Sequence, residues 1–391
     1  MRLYYLIYGN YFLQNTGVGV KILAKVKALN ELGMPTTILV FSDGAAQGSQ
    51  PNEHLHLIPV AKNNTSAFTT IKEYLKKIDA PDNRYMMRYP FASKGLLDLF
   101  QAFPQKIYLE HNTFEKEEYL LTQRKHFQKL SFSFSPSYVK YFSQTYISKQ
   151  SPEKKYGDQV LKFAKAGICV TSEIAAYEKK RCATYSTHVI SNGAEEKVGG
   201  VNSAPGLKDT LKIFMLIGGF STWHGVDRII NGLKNYKKED LKIEFHFYGL
   251  ENYDPKISLN TDNYSIHFHP TLSDDQIKQH VNGFHLSFSS LALHRIKLRE
   301  ASPLKLRACM LMGYPTVLGY NDTDVTNNKA FHAYTLQVPA NESPIDFLKV
   351  ARFYKEVRKT DSYPERIVRL ASSTFSYKVK AQQLIDIIRK G

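Results

Sequence analysis

Residues 289–322 read SSLALHRIKLREASPLKLRACMLMGYPTVLGYND. The pattern predicts a strand, a loop ending in Glu300, and a short helix with a marked start and stop. Ser302 is a good helix cap, Pro303 suits the first helical position, and Gly313 followed by Pro315 supplies the stop. Such a loop aims the backbone N–H groups of Ser302, Leu304 and Lys305 at whatever sits above the helix start. Arg295, Arg299 and Arg307 are near in sequence, and a helix start of this kind favours a phosphate. An ordinary strand–helix unit with a solvated basic rim explains the same residues equally well.

Outward from this segment the chain reads as two series of alternating strands and helices. In the first half, residues 1–8 form an apolar strand and a glycine-bearing loop follows over 9–19. Val20, Ile22, Leu23, Val26, Leu29 and Leu32 then recur at helical spacing. Strands are expected near 36–41, 55–58, 85–88, 106–109 and 167–170, and residues 114–156 are aromatic, charged and helical in pattern. Residues 195–209, rich in Gly, Ser, Asn and Pro, suit a linker. The second half predicts strands at 213–217, 243–248, 264–267 and 286–288, with helices at 225–233, 274–280, 344–357 and 377–390. Two such halves predict an α/β protein of two Rossmann-like domains, with ligands at the carboxyl ends of the strands. The boundaries are 1–198, 199–375 and a C-terminal helix, 376–391, returning to the first domain.

The chain has 391 residues, 43% of them hydrophobic, which is too long for one ordinary core and fits two. Its three cysteines, Cys169, Cys182 and Cys309, are isolated, the N-terminus has no signal-peptide pattern, and no window suits a membrane span. A cytoplasmic protein is expected. The formal charge of +16 calls for an acidic partner or surface. No zinc-finger, RRM or basic-zipper pattern accompanies it, so nucleic acid is not expected as a partner. An anionic membrane is favoured, because basic residues near such a leaflet contribute roughly 1 kcal/mol each. This suggests a peripheral position on the inner face of the plasma membrane.

Glu300-Ala-Ser-Pro-Leu-Lys-Leu-Arg-Ala308, followed by Met312-Gly-Tyr-Pro-Thr-Val317, resembles the donor-site signature of retaining GT-B glycosyltransferases of the GT4 type. In that family two glutamates separated by seven residues stand at a helix start; here Glu300 takes the first position and Ala308 the second. Gly17-Val-Gly19 is similar to the family's first glycine-bearing loop. Lys106-Ile-Tyr-Leu-Glu-His111-Asn112 resembles the strand ending in its acceptor-domain histidine. Thr171 to Glu178 and Val189 to Gly193 look like its junction into the donor domain, with Asn192-Gly193 read as a turn. Gly218-Gly219-Phe220-Ser-Thr-Trp223-His224-Gly225 resembles the donor loop in which relatives place an Arg and a Lys on the diphosphate, at the positions of Gly219 and His224 here.

The resemblance implies a GT-B fold, two facing Rossmann-like domains with a deep interdomain cleft. It also implies transfer of a hexose from a nucleotide sugar, UDP-linked in preference to GDP-linked, with retention. The acceptor would be a glycan, a lipid-linked glycan or a protein-linked glycan, in cell-surface polysaccharide or glycoconjugate synthesis. His111 and Glu300 are the implied catalytic residues. Gly17, Gly19, Gly219, Phe220, His224, Arg295, Ser302, Leu304 and Lys305 are the implied donor-binding set, and the nucleotide base is expected near His269, Pro270 and Thr271. No cofactor and no divalent metal are expected. His267 and His269 share a strand face, but no carboxylate or cysteine in the sequence pattern completes a recognisable metal site.

Three expected donor contacts are absent at Ala308, Gly219 and His224. The alternative is therefore a catalytically degenerate GT-B-like subunit that binds and stabilises an active protein partner. A sugar-nucleotide epimerase using Glu110 and Glu115 near His111 is a further alternative. A dehydrogenase is disfavoured because Gly17-Val-Gly19 lacks the third glycine of the dinucleotide fingerprint.

Overall fold

A computed structural model of the chain describes residues 1–8, 17–42, 54–60, 64–114, 148–195, 202–203, 206–237, 239–254 and 258–390. Residues 9–16 of the first loop, Glu115, the aromatic stretch 132–146 and residues 196–201 and 204–205 of the expected linker lie outside them. The chain divides into two compact units, Met1–Ser191 with Lys380–Gly391, and Asn192–Val379. The division thus falls a few residues before the expected boundary at 198.

Unit 1 runs β1 (Leu3–Tyr8), α1 (Gly17–Glu31), β2 (Thr36–Ser42), β3 (Leu55–Pro59), α2 (Asn64–Ile78), β4 (Arg84–Arg88), α3 (Lys94–Ala102), β5 (Ile107–His111), α4 (Ser148–Phe163), β6 (Ala166–Cys169), α5 (Ser172–Arg181) and β7 (Thr187–Val189). The strands form one parallel sheet in the order β3-β2-β1-β4-β5-β6-β7. Parallel strands covered on both faces read as near-continuous apolar runs, and every residue of β5 is buried. Ser93 and Thr171 cap α3 and α5 by accepting from the backbone N–H groups of Leu96 and Ile174. Leu6, Phe41, Ile71, Leu75, Leu99, Phe100 and Leu109 belong to one core between sheet and helices. Each such side chain contributes about 1.5–3 kcal/mol by leaving water.

Unit 2 runs β8 (Thr210–Leu216), α6 (Val226–Asn235), β9 (Lys242–Tyr248), β10 (Tyr264–His269), α7 (Asp274–Val281), β11 (Leu286–Phe288), β12 (Glu300–Ala301), α8 (Leu304–Leu311), β13 (Thr316–Leu318), β14 (Asn321–Asp322), β15 (Thr335–Gln337), α9 (Phe347–Val357), α10 (Tyr363–Phe375) and α11 (Tyr377–Lys390). Its parallel sheet has the order β10-β9-β8-β11-β13-β15, and β12 pairs with β14 in a separate ladder. A reciprocal capping box between Ser273 and Gln276 starts α7. The strand order reverses between β8 and β11. In open α/β sheets that reversal opens a crevice at the carboxyl ends of the strands, and a ligand enters there. In unit 2 the segments leaving that point are the loop after β8, which begins Ile217-Gly218-Gly219-Phe220, and the stretch from Ser289 that leads into β12 and α8.

Candidate active site

The segment around Glu300 folds as a strand, a loop and a helix, but its helix starts differently from the expectation. Helix α8 begins at Leu304, with Pro303 at the cap position and no side-chain cap bond. Ser302 is occupied elsewhere. Its hydroxyl accepts from the Asn192 backbone N–H at 2.7 Å, and its carbonyl accepts from the Asn192 side-chain amide at 2.6 Å. Asn192 is therefore an anchor rather than part of a turn.

Arg307 strengthens the same anchor. Its side chain is wholly buried and donates to the Asn192 carbonyl at 2.6 Å, to Asp322 at 2.9 and 3.2 Å and to Asp324 at 3.0 Å. With its donors committed, Arg307 fixes the helix start and offers no charge to a ligand. Glu300 follows from this scaffold, because the β12–β14 ladder pairs it with Asn321, next to Asp322. It is partly exposed.

Lys305, two residues before Arg307, is in the opposite situation. Its ammonium is half-buried and reaches over the backbone of Gly218: a Cβ on that glycine would lie 3.1 Å from the Lys305 Nζ. Among the described residues it has no hydrogen bond and no ion pair, and burial pushes its pKa down to about 8. A half-buried cation without a counter-charge is costly, and an anion placed over Gly218 would relieve that cost. Gly218, Gly219 and Phe220 are exposed, and Gly219 has φ +125° with open space where a Cβ would stand. Backbone amides there can face a ligand directly.

A cavity of about 380 Å³ adjoins this loop, lined by Phe220, Gly249, Leu250, Glu251, Asn252, Tyr253, Pro270 and Thr271. Phe220 is 56% exposed and stacks on Tyr253 with ring centroids 5.5 Å apart. An exposed aromatic plane beside amide and carboxylate groups suits a planar polar ring. Gly249 is required to be glycine, because a Cβ there would meet the Ile217 carbonyl at 1.8 Å. Of the residues expected near a base, Pro270 and Thr271 line this cavity and His269 does not. Tyr253, Glu251 and Asn252 were missed; the polar run after Gly249 was their only signal in the sequence.

Two expected donor contacts have other work. Arg295 forms ion pairs with Asp227, at 2.8 and 2.7 Å, and with Glu342, and it donates to the Thr222 carbonyl at 2.8 Å. Its charge is neutralised by two carboxylates, so it pins the 3-10 turn Thr222–His224 rather than offering itself to a diphosphate. His224 lies in that turn, with Nδ1 3.2 Å from the Ser290 hydroxyl. Trp223 is half-buried in the same turn.

In unit 1 Gly17 and Gly19 open α1, so they lie in its first turn rather than in the preceding loop. His111 ends β5, as the sequence predicts for a strand running into this residue, but it is 0% exposed. Its Nε2 is 3.2 Å from the Tyr185 hydroxyl, its ring packs 5.1 Å from that of Tyr89, and Nδ1 is 3.7 Å from Glu178. The contacts described for the ring come from unit 1, and the ring is fully buried. Next to it Glu110 is buried with Lys21 at 2.9 Å and Lys25 at 2.8 Å, and accepts from the Tyr5 hydroxyl. Burial alone would raise the Glu110 carboxyl, but the two lysines outweigh it and hold it well below the usual range. Glu110 is thus committed to this cluster, and Glu115 lies outside the described residues.

The histidines of unit 2 also differ from the expectation. Pairing of β9 with β10 sets His246 beside His267 and Tyr248 beside His269, and brings up Glu244, a carboxylate that the histidine spacing did not reveal.

No family model matches the sequence, and no curated protein matches it either. Solved structures do match over the full length. A glycosyltransferase from Rickettsia africae ESF-5 has a TM-score of 0.63 at 13% identity, covering 100% of this chain and 98% of that one. The lipopolysaccharide outer core galactosyltransferase WaaB, in its apo form, has a TM-score of 0.63 at 12% identity, covering 100% and 99%. An alpha-glucosyltransferase in complex with UDP has a TM-score of 0.56 at 10% identity, covering 99% of each. At these identities the likeness is one of fold, and the chain has the GT-B fold.

Proposed function

We propose that this protein is a nucleotide-sugar-dependent glycosyltransferase that acts with retention at the anomeric carbon. The observation that carries the proposal is the unpaired Lys305 ammonium over Gly218, at the strand-order reversal of a GT-B unit and in the same unit as a cavity with an exposed aromatic wall. The diphosphate of the donor lies against the amides of Gly218 and Gly219 and against Lys305. Phe220 stacks with the base, taken to be uracil before guanine. Uracil is favoured because a structural neighbour binds UDP. Glu300 accepts hydrogen bonds from sugar hydroxyls.

In the reaction the bond from the anomeric carbon to the β-phosphate oxygen breaks and a bond from an acceptor hydroxyl oxygen forms on the same face. The hydroxyl proton passes to the departing phosphate. Negative charge grows on the diphosphate as the bond breaks, so Lys305 and the loop amides act most strongly in the transition state. Lys305 thereby supplies, from α8, the cation that the family pattern places at the positions of Gly219 and His224. His111 lies in the buried polar cluster of unit 1. The net charge of +16 supports an acidic acceptor or an anionic membrane surface beside it; no helix among the described residues is long and apolar enough to cross a membrane.

The test is thermal stabilisation by a panel of nucleoside diphosphates and their sugar conjugates, followed by donor hydrolysis and transfer assays. Stabilisation by one base, growing with one sugar and losing the sugar increment in Glu300→Ala, is expected. No response from a cooperatively folding sample would overturn the proposal. A second reading rests on Ala308, which is exposed on α8 and has no group to hold a ribose: a binding subunit without turnover. Stabilisation by a nucleotide with neither hydrolysis nor transfer would select it.

A further inference from the structure

Strands β9 and β10 present one sheet face on which Glu244, His246, His267 and His269 lie together. Ligand atoms of Glu244, His246 and His267 all fall within 4.8 Å of one another. The His246 Nε2 is 2.9 Å from the Glu244 Oε1, and its Nδ1 is 2.8 Å from the His269 Nε2. The His246 ring is 4.3 Å from that of His267 and 5.0 Å from that of His269.

We propose that this face binds a divalent transition metal, with Zn²⁺ the best-fitting ion, through Glu244, His246 Nε2 and His267, and that His269 orients His246. Two histidines and one carboxylate form a ligand set that zinc uses in open sites, with water in the fourth position. Tetrahedral ligands at roughly 2.0–2.1 Å from the ion are about 3.4 Å apart, so small side-chain rotations close the site. The hydrogen-bond chain can switch to serve it. The metal takes the His246 Nε2 lone pair in the tautomer with the proton on Nδ1, and Nδ1–H donates to His269 Nε2 while His269 carries its own proton on Nδ1, as metal-bound histidines donate through their second nitrogen.

His267 is exposed, which gives an entry path. Lys212, 3.5 Å from Glu244 and on the same side, is the one opposing charge within ion-pair distance of these groups among the described residues. The site is separate from Lys305 and does not rest on the transferase reading. It ties β9 to β10 just before Gly249 and Pro270, which line the cavity.

The test uses the full-length protein, freed of metal by chelation, and titrated with Co²⁺ and then Zn²⁺. One equivalent of Co²⁺ with the strong visible bands of a four-coordinate ion, displaced by Zn²⁺, is expected. His267→Asn and His246→Ala should abolish it, and His269→Ala should weaken it about 10- to 100-fold. Lys212→Met should tighten it, and His332→Ala, elsewhere on the surface, should leave it intact. The exposed position of His267 keeps that variant informative if His246→Ala folds poorly. Absence of one-to-one binding, or binding that survives His267→Asn because other histidines among the thirteen capture the ion, would overturn the proposal.

Discussion

The buried polar cluster of unit 1 and the loop edge of unit 2 place charges in similar positions, beyond or near the carboxyl ends of parallel strands, and handle them in opposite ways. In unit 1 Glu110 is answered by Lys21 and Lys25, while Arg181 pairs with Glu153 at 2.6 Å and with Glu178 at 3.1 Å. In unit 2 Lys305 stands over a glycine with no partner among the described residues. A compensated cluster fixes a fold, and an uncompensated charge waits for a ligand. Helix α8 shows the same contrast within two residues, because Arg307 is paired twice and Lys305 not at all.

Substitutions that break this contrast should separate stability from binding. The largest effect is expected in unit 1, where Glu110→Gln leaves two lysines buried against a neutral amide. Removing one member of a buried ion pair costs about 3–5 kcal/mol, read as a lower unfolding midpoint in denaturant. Lys305→Met should do the reverse in unit 2, leaving stability unchanged or raised while lowering the rate of transfer about 100-fold, as loss of one preorganised donor does. Equal destabilisation by both variants would erase the distinction.

Smaller changes sharpen the picture of the cavity. Phe220→Ala removes the exposed stacking plane, and the loss of about 1–3 kcal/mol per stacked base should weaken nucleotides of every base and leave inorganic diphosphate alone. Ala308→Glu restores a ribose contact at an exposed position and should tighten UDP-glucose binding roughly tenfold, within the range for a charge-assisted hydrogen bond, in a direct titration. The smallest effect is with pH. Burial pushes Lys305 down to about 8, so in the free protein the ammonium is present below that value and is lost above it. UDP-glucose affinity should therefore fall as pH rises from 7 to 9, and Lys305→Arg should flatten the profile because guanidinium stays charged.

The fold was legible because periodicity and punctuation are local. Apolar runs gave the strands, and Gly313 and Pro315 ended α8 where expected. Helix α10 and strand β15 were missed: α10 carries a clear helical period, with Tyr363, Ile367, Ala371 and Phe375 buried at four-residue spacing, and was overlooked, whereas β15 is three residues long with none buried and leaves a weak local pattern. Roles were harder to read than positions. Arg295, Arg307 and Lys305 look alike in a basic loop, and only the approach of Asp227, Glu342, Asp322 and Asp324 from distant segments distinguishes spent charge from free charge. Ser302 lost its capping role to Asn192, 110 residues earlier. Glu244 joined the histidines through strand pairing, a relation that spacing along one strand cannot reveal.

The central claim is that Lys305 is an unpaired cation held for a diphosphate. Its most direct test compares UDP with uridine, by calorimetric titration, in the natural protein and in Lys305→Met. UDP should bind the natural protein more tightly than uridine, and the substitution should remove about 10- to 100-fold of that advantage while uridine binding is unchanged, because one charge-assisted contact is lost. An undiminished preference for UDP in Lys305→Met, with the variant folded, would contradict the claim.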